Sequence, residues 1–268
     1  MTRAAWLRMI VVVLPKADVL GVGVTAAEPR EIVEEVRRAV RDRDCARIVA
    51  AVNVHTYMEA RRSPLYRNAL NEASVAFVDG VPIRWLMRAR GLRAPSRIHG
   101  EDLTRLLLGE LPDARHLFFG STPETLESLR EALALRYPYL KVAGFISPPF
   151  RKTAGVESPE MLDRINGSGA DVLWVALGAP KQELWAMLNR DRIRIPVVAC
   201  VGAAFEILAG RFTRAPRGLQ KFGLEWAWRM AQDPWRLWRR YFATNGAFAV
   251  QLMVSWLTPR LPKGRAII

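Results

Sequence analysis

A buried strand that runs directly into a helix start is encoded by residues 172–183, VLWVALGAPKQE. The apolar run Val172–Leu177 has the length of a buried strand, and Gly178 provides the turn after it. Charged amphipathic segments such as Glu31–Val40 alternate with further short apolar runs, several of which end at Gly or Asp. Those runs are Ala46–Val52, Val75–Val78, His116–Phe119 and Val197–Val201. The alternation predicts an α/β fold with a largely parallel sheet covered by helices.

Helix starts and one domain boundary are also marked. Ser121-Thr122-Pro123-Glu124 has the pattern of a capping box with proline in the first turn. Asp233-Pro234 is a good cap followed by proline, which predicts two helices, Gly223–Ala231 and Pro234–Tyr241. The composition changes near Gly210–Pro216. We therefore expect a core over residues 1–210 and a C-terminal appendage over residues 211–268.

Composition restricts the class of protein. Half of the 268 residues are hydrophobic, which is enough for one substantial core and excludes a disordered tail. The formal charge of +14 favours anionic partners, so nucleic acid, nucleotide phosphates and acidic lipid remain open. Cys45 and Cys200 form no CxxC pair, and the three histidines lack the spacing of zinc ligands. These features predict a reducing compartment and no metal site.

The appendage concentrates charge and tryptophan. Residues 211–268 contain eleven Lys and Arg against Glu225 and Asp233, a net charge of +9, and five of the nine tryptophans. Nineteen uncharged residues lie between Arg240 and Arg260, but polar side chains interrupt them. This composition favours a helix at a membrane interface over a membrane span. Near the N-terminus, the apolar run Met9–Leu14 is too short for a secretory signal and predicts a strand or packed arm.

Two polar residues stand where apolar strands end, and ligands of open parallel sheets bind beyond the carboxyl ends of strands. Asp79 follows Val75–Val78 and is placed to act as a base. The alternative is an Asp that only caps the next helix, which is the commoner role of Asp at this position. Asn53 follows Ala46–Val52 and either faces the same cleft or forms a turn.

Three other segments could bind a ligand. After Gly178, the helix start with Lys181, Gln182 and Glu183 could hold phosphate or sugar hydroxyls, although an ordinary helix start explains it equally well. The turn Gly120-Ser121-Thr122 is small enough for a phosphate to approach backbone amides, a weak indication by itself. Residues 97–102, RIHGED, precede a helix, and their spacing does not distinguish a site from a capped, solvated loop.

Two segments match known motifs but lack the secondary structure that those motifs require around them. Residues 21–26 match GxGxxA, but Asp42 precedes a strand, whereas the acid of a dinucleotide fingerprint ends one. Asp42-Arg43-Asp44 is formally a DxD sequence, but it lies at the end of a charged helix. A pyridine-nucleotide oxidoreductase therefore rests on the GxGxxA match alone. A basic nucleotide- or nucleic-acid-binding protein stays an alternative, although no recognised nucleic-acid module is present and we expect no nucleic-acid partner.

Several blocks in one order resemble the WecG/TagA/CpsF family of bacterial glycosyltransferases, and the resemblance runs from about Val19 to Tyr241. The blocks are Asn53 through Val78-Asp79-Gly80, RIHGED (97–102), GAPKQE (178–183), GAAF (202–205), Ala209-Gly210, RAP (214–216), GLEW (223–226) and PWRL (234–237). Two positions depart from the family pattern. Ala51 stands where many members have Thr, and His99 where a small polar residue is common.

The resemblance implies a Rossmann-like core with helices on both faces and a metal-independent, inverting transfer without a cofactor. The implied donor is a UDP-sugar that carries N-acetylmannosamine, its uronic acid or glucose. The implied acceptor is an undecaprenyl-diphosphate-linked saccharide of cell-surface polysaccharide biosynthesis. An appendage would close the site on the cytoplasmic face of the membrane, so the protein would be peripheral. A homo-oligomer is compatible with the sequence, but no segment identifies an interface.

Carried over by position, Asp79 resembles the catalytic base, and Asn53 and Gln182 resemble residues of the substrate pocket. The arginines that would meet the diphosphate are Arg229, Arg236 and Arg239. The other expected substrate-binding residues are Arg97, Asp102, Gly120, Ser121, Gly178, Lys181 and Glu183.

Overall fold

A computed structural model describes residues 14–213, 215–216, 218–219 and 224–257, with the backbone alone over residues 236–243. The strands are β1 (Lys16–Val19), β2 (Val22–Thr25), β3 (Arg47–Val52), β4 (Val75–Val78), β5 (Arg115–Gly120), β6 (Lys141–Ile146), β7 (Val172–Ala176) and β8 (Val197–Cys200). The helices are α1 (Pro29–Asp42), α2 (Val54–Arg62), α3 (Pro64–Glu72), α4 (Val81–Ala89), α5 (Gly100–Glu110), α6 (Pro123–Arg136), α7 (Pro159–Gly167), α8 (Lys181–Asn189), α9 (Ala204–Leu208), α10 (Glu225–Gln232) and α11 (Pro234–Leu257). The expected strand or arm over Met9–Leu14 lies outside the described residues except for Leu14, which is buried.

The main sheet is parallel and confirms the predicted fold class. Its strands lie in the order β4-β3-β8-β7-β5-β6, and every neighbouring pair is parallel. The five apolar runs found in the sequence are β3, β4, β5, β7 and β8, each within one residue of its predicted bounds. Because all six strands point the same way, their carboxyl ends lie at one edge of the sheet.

Alternate residues of each central strand face two separate apolar layers. Ile48 and Ala50 of β3 belong to one cluster, which also receives residues from α2, α3, α4, α7, α8 and α11. Val49 of β3 and Trp174 of β7 belong to the other, which is covered by α1, α5, α6 and α9. This period of two, buried on both sides, is why the strands read as continuous apolar runs.

The GxGxxA segment forms part of an antiparallel hairpin. Residues of β1 and β2 pair around Gly21, whose φ of 89° suits glycine. Thr25 Oγ1 accepts a hydrogen bond from the Ala76 amide at 2.8 Å, and the Asn71 side chain accepts one from Gly23 at 2.8 Å. The glycines therefore shape a hairpin that packs beside β4, so the only feature behind the oxidoreductase alternative is structural.

The second C-terminal helix is longer than predicted, whereas the first, Glu225–Gln232, is close to its predicted bounds. The Asp233-Pro234 break is present, but the second helix continues beyond Tyr241 to Leu257, so the uncharged run extends the same helix. Phe248 of this helix is buried and meets the Tyr57 ring edge-on at 6.0 Å, which seats α11 on α2. Among the residues described, none of the helices combines the length and apolarity of a membrane span.

Candidate active site at the carboxyl edge of the sheet

A cavity of about 740 Å³ opens where the parallel strands end. Each strand of the sheet contributes a residue at or just beyond its carboxyl end: Asn53, Asp79, Ser121, Ser147, Leu177 and Val201. The C-terminal part of the chain contributes Glu225, Trp226 and Arg229 of α10. Because the edge of an open parallel sheet is the usual ligand site of such folds, this cavity is the candidate active site.

Asp79 faces the cavity from the end of β4 and is not a helix cap. The cap of α4 is Gly80, whose φ of 102° turns the chain sharply, so the alternative of a capping Asp is wrong. The Asp79 carboxylate is held on both oxygens. Asn53 Nδ2 donates to Oδ2 at 3.1 Å, and His99 Nδ1 lies 3.0 Å from Oδ1.

Asn53 has both of the roles that the sequence left open. Its side-chain oxygen accepts a hydrogen bond from the Thr56 amide at 3.1 Å and so caps α2. Its amide nitrogen remains free to donate to Asp79. The cap fixes the side chain, and the fixed side chain orients the carboxylate.

His99 and Glu225, neither of which was predicted as a site residue, complete this group, and the predicted Arg97 contacts it. His99 lies directly before α5, and its second nitrogen, Nε2, is 3.3 Å from Glu225 Oε1 of α10. Arg97 Nη1 donates to the same Glu225 oxygen at 2.7 Å. The sequence signals were the RIHGED and GLEW blocks, but nothing in their spacing shows that they meet.

The charged side chains of this group are largely buried, so they shift one another's pKa. Burial alone would raise the pKa of Asp79, but the hydrogen bond and charge of His99, with Asn53 and Arg229, hold it below its usual range. Burial opposes a charge on His99, yet Asp79 and Glu225 together raise its pKa to about 9. At neutral pH the group therefore consists of two carboxylates around an imidazolium.

Gln182 and Glu183 lie in the wall of the cavity rather than at its opening. Gln182 donates to Glu183 Oε1 at 2.8 Å and accepts a hydrogen bond from the Gly202 amide at 3.0 Å. Both side chains are almost fully buried, and burial raises the pKa of Glu183 to about 7 against the lowering effect of Gln182. This amide bridge ties the start of α8 to the loop after β8.

Lys181 lies at the rim. Its ammonium donates to the Arg151 carbonyl at 3.0 Å and stands 4.7 Å from the centre of the Phe150 ring. Gly178, in the turn before it, also lines the cavity and has a φ of 78°. The segment after β7 thus reaches the cavity, and its role in holding phosphate or sugar hydroxyls stays a prediction.

The Gly120 turn is explained by packing. A Cβ on Gly120 would lie 2.5 Å from the Ala176 carbonyl oxygen, so glycine is required there for strand-end contact, and the residue does not line the cavity. Ser121 does line it. The predicted capping box is wrong in detail, because the cap of α6 is Thr122, which accepts from the Thr125 amide at 3.3 Å.

The remaining predicted residues differ in their relation to the cavity. Arg229 lines it, whereas Arg97 acts behind it through Glu225. Asp102 lies in the first turn of α5 and is not a lining residue. The side chains of Arg236 and Arg239 lie outside the described part of the chain.

The DxD residues lie at the opposite, amino edge of the sheet. Asp44 precedes β3 and binds Arg47 Nη2 at 3.1 Å. Within the described ranges, no three His, Cys, Asp or Glu side chains come together as ligands of a metal ion would.

An α/β sheet with a deep cavity over its strand ends and a buried carboxylate inside it has the architecture of an enzyme. Residues 17–262 match the sequence model of the glycosyl transferase WecG/TagA/CpsF family. The chain therefore belongs to this family, and it is a glycosyltransferase. The match also covers the C-terminal helices that contribute Glu225 and Arg229 to the cavity.

Three relatives have the same name, N-acetylglucosaminyldiphosphoundecaprenol N-acetyl-beta-D-mannosaminyltransferase. The protein of Bacillus spizizenii is 28% identical over 216 residues, which cover 80% of this chain and 82% of the relative. That of Bacillus subtilis is 26% identical over 201 residues, 74% of this chain and 76% of the relative. That of Staphylococcus aureus strain MW2 is 27% identical over 233 residues, 84% of this chain and 86% of the relative.

Proposed function

We propose that this protein transfers N-acetylmannosamine from a UDP-sugar to N-acetylglucosaminyl-diphospho-undecaprenol, a step in the synthesis of a cell-surface polysaccharide. The names of the relatives support the sugar and the acceptor. The observation that carries the proposal is the Asp79 carboxyl group inside a cavity of about 740 Å³, contacted on both oxygens by Asn53 and His99.

The reaction is a single displacement at the anomeric carbon. The acceptor hydroxyl oxygen forms the new glycosidic bond as the bond from the anomeric carbon to the phosphate oxygen breaks. UDP leaves with the electron pair, and the hydroxyl proton passes to Asp79. A base with a low pKa remains ionised and available at neutral pH, and one displacement inverts the anomeric centre.

Arginine supplies the positive charge for the leaving diphosphate in this proposal. Arg229 lines the cavity and lies close enough to Asp79 to affect its pKa. Arg236 and Arg239 follow on the next helix, and guanidinium groups bind phosphate oxygens in pairs. With this charge in place, we expect transfer without a metal ion or cofactor.

The test is a screen of purified protein against a panel of UDP-sugars, with and without the lipid-diphosphate acceptor and with EDTA throughout. We expect UDP release from UDP-N-acetylmannosamine, stimulated by the acceptor. Release only after metal is restored would contradict the metal-independent part. Release from another donor alone would replace the sugar, and no release from any donor would overturn the function.

The appendage is proposed to hold the protein on the membrane surface that contains the acceptor. One face of α11 exposes an apolar row at helical spacing: Val250, Met253, Val254 and Leu257. Thr244 and Phe248 on the opposite face are buried, and Trp235 near the start of the helix is 90% exposed. A helix with apolar residues facing outward beside a net charge of +9 matches the chemistry of an anionic bilayer interface.

Vesicle sedimentation tests this surface with a matched pair of variants. Leu257→Glu places a charge in the apolar row, at a leucine that is 85% exposed, and should weaken binding to anionic vesicles several-fold. Leu135→Glu on α6, at a leucine 84% exposed, makes the same change elsewhere and should bind like wild type. Equal binding by all three proteins would place the membrane contact on another surface.

A further inference from the structure

We infer that His99 is a positioning residue that bridges the base Asp79 to Glu225 of the C-terminal helix pair, so that seating of α10 on the core orients the base. This inference rests on the proposed function for the identity of the base. It assigns a role to His99, which was not among the predicted site residues.

The bridge consists of a hydrogen bond at Nδ1 and an ion-pair contact at Nε2. Nδ1 lies 3.0 Å from Asp79 Oδ1, and Nε2 lies 3.3 Å from Glu225 Oε1. Each partner is a carboxylate, which when ionised can only accept. Only the imidazolium, which is positively charged and has no free ring lone pair, is attracted to both carboxylates, so the bridge exists while His99 is charged.

The two ends of the bridge belong to different parts of the fold. Asp79 follows a strand of the sheet, whereas Glu225 is the first residue of α10. Arg97 holds the other side of this contact, with its guanidinium 2.7 Å from the same Glu225 oxygen. The side chains of Asp79, His99, Glu225 and Arg97 are each only 18–22% exposed, so water competes weakly for these contacts.

Loss of the bridge should reduce turnover by misplacing the base. Asn53 holds Oδ2, but the carboxylate could still rotate about that contact. A displacement of about 1 Å in a reacting group can lower the reaction rate by about a hundredfold. The charged groups around His99 are Asp79, Glu225, Arg97 and Arg229. The two carboxylates outweigh burial and raise the pKa of the imidazole to about 9, so the bridge should persist at neutral pH.

The first arm of the test follows the histidines directly by NMR in the full chain. The protein has only three, and His99→Ala identifies the His99 signal by its disappearance. We expect this signal to titrate near pH 9 in wild type and at a lower pH in Glu225→Gln. Glu131→Gln, the same change at an exposed site on α6, should leave it unmoved. Titration near the ordinary value of 6.5, or an unaltered titration in Glu225→Gln, would overturn the bridge.

The second arm is turnover as a function of pH. His99→Ala should lower kcat by about ten- to a hundredfold with little change in the KM for the donor. Wild-type turnover should fall as the pH rises through about 9, and His99→Ala should lack that limb. In Glu225→Gln the limb should move to lower pH, and the double variant should be no worse than His99→Ala. Wild-type kcat in His99→Ala, or fully additive losses, would overturn the positioning role.

The two arms separate this inference from the function on which it rests. If wild type released UDP from no donor, the proposed function would fail, while the NMR titration would still decide whether the bridge exists. If transfer occurred but the His99 signal behaved like an isolated histidine, the function would stand and the bridge would fall.

Discussion

The two ends of the sheet both hold buried charge, but in the described part of the chain the cavity of about 740 Å³ lies at the carboxyl end. At the amino end, Arg47 at the start of β3 pairs with Glu35 of α1 and with Asp44, and none of these side chains lines the cavity. At the carboxyl end, Asp79 and Glu225 flank His99 in the wall of the cavity. Buried charge alone therefore does not identify a site. A titratable group beside open volume does, and the two ends should respond differently to mutation.

The largest expected difference is in activity. Asp79→Asn keeps the shape of the carboxylate but removes the base, and base catalysis typically contributes about a hundred- to ten-thousandfold. We expect kcat to fall by that factor while donor binding survives, as measured by UDP release and by calorimetry with UDP. Asp44→Asn makes the same chemical change at the amino end and should retain wild-type turnover. A fully active Asp79→Asn would remove Asp79 from its role.

Mutation of the charged residues at the amino end should instead lower the free energy of unfolding. Arg47→Met removes the cation between Glu35 and Asp44, and the Glu35 side chain, only 6% exposed, would lose its Arg47 partner. Arg38 still pairs with the other Glu35 oxygen at 3.0 Å, so the buried charge stays partly compensated. We therefore expect a loss of about 2 kcal/mol in the free energy of unfolding, measured in urea, which is less than for a buried charge left with no partner. Turnover per folded molecule should not change.

The control for that loss is a surface pair. Arg130→Met breaks the contact with Glu127, where both side chains are 57% exposed, and should unfold at the wild-type urea concentration. If the two variants lost the same stability, the Arg47 cluster would contribute no more than an exposed ion pair does.

The sequence predicts the centre of the fold better than its margins. The central strands are buried on both faces and so appear as apolar runs, whereas the edge strand Lys141–Ile146 is partly exposed and was missed. The hairpin of β1 and β2 was also missed. Its glycines were considered only as a GxGxxA motif, and after that motif failed on context the segment had no other assignment. The uncharged run after Tyr241 continues a helix, which no local signal distinguishes from a separate segment.

Only those site residues that directly follow a strand can be predicted from the sequence. Asp79 and Asn53 follow apolar runs, and parallel strands bring such residues to one edge. The contact of His99 with Glu225 depends on how α10 packs against the loop before α5, and no periodicity or spacing encodes that distance. At Gly120 the sequence suggested a ligand site, but the small size of this residue serves packing against Ala176 instead.

The smallest expected effect compares the two histidines through the pH dependence of stability. His116 is fully buried in the sheet, where its Nδ1 accepts from Trp174 Nε1 at 3.1 Å and its Nε2 donates to the Leu111 carbonyl at 3.1 Å. Burial lowers its pKa to about 4, whereas the carboxylates around His99 raise that pKa to about 9. The two residues should therefore affect stability in opposite pH ranges.

A lowered pKa means that the stability contributed by neutral His116 is present above about pH 6.5 and is lost as the pH falls from there to about 4. A raised pKa means that the contribution of charged His99 is complete below about pH 6.5 and is lost as the pH rises to about 9. Each slope is at most about 1.4 kcal/mol per pH unit for one proton. Urea unfolding from pH 4 to 9.5 should show a flatter acid limb in His116→Gln, whose amide can both accept and donate, and a flatter alkaline limb in His99→Ala. The free energy of unfolding depends on pH only where the folded and unfolded chains bind different numbers of protons. If a variant showed the wild-type slope in its pH range, the histidine it lacks would not change its proton binding on folding.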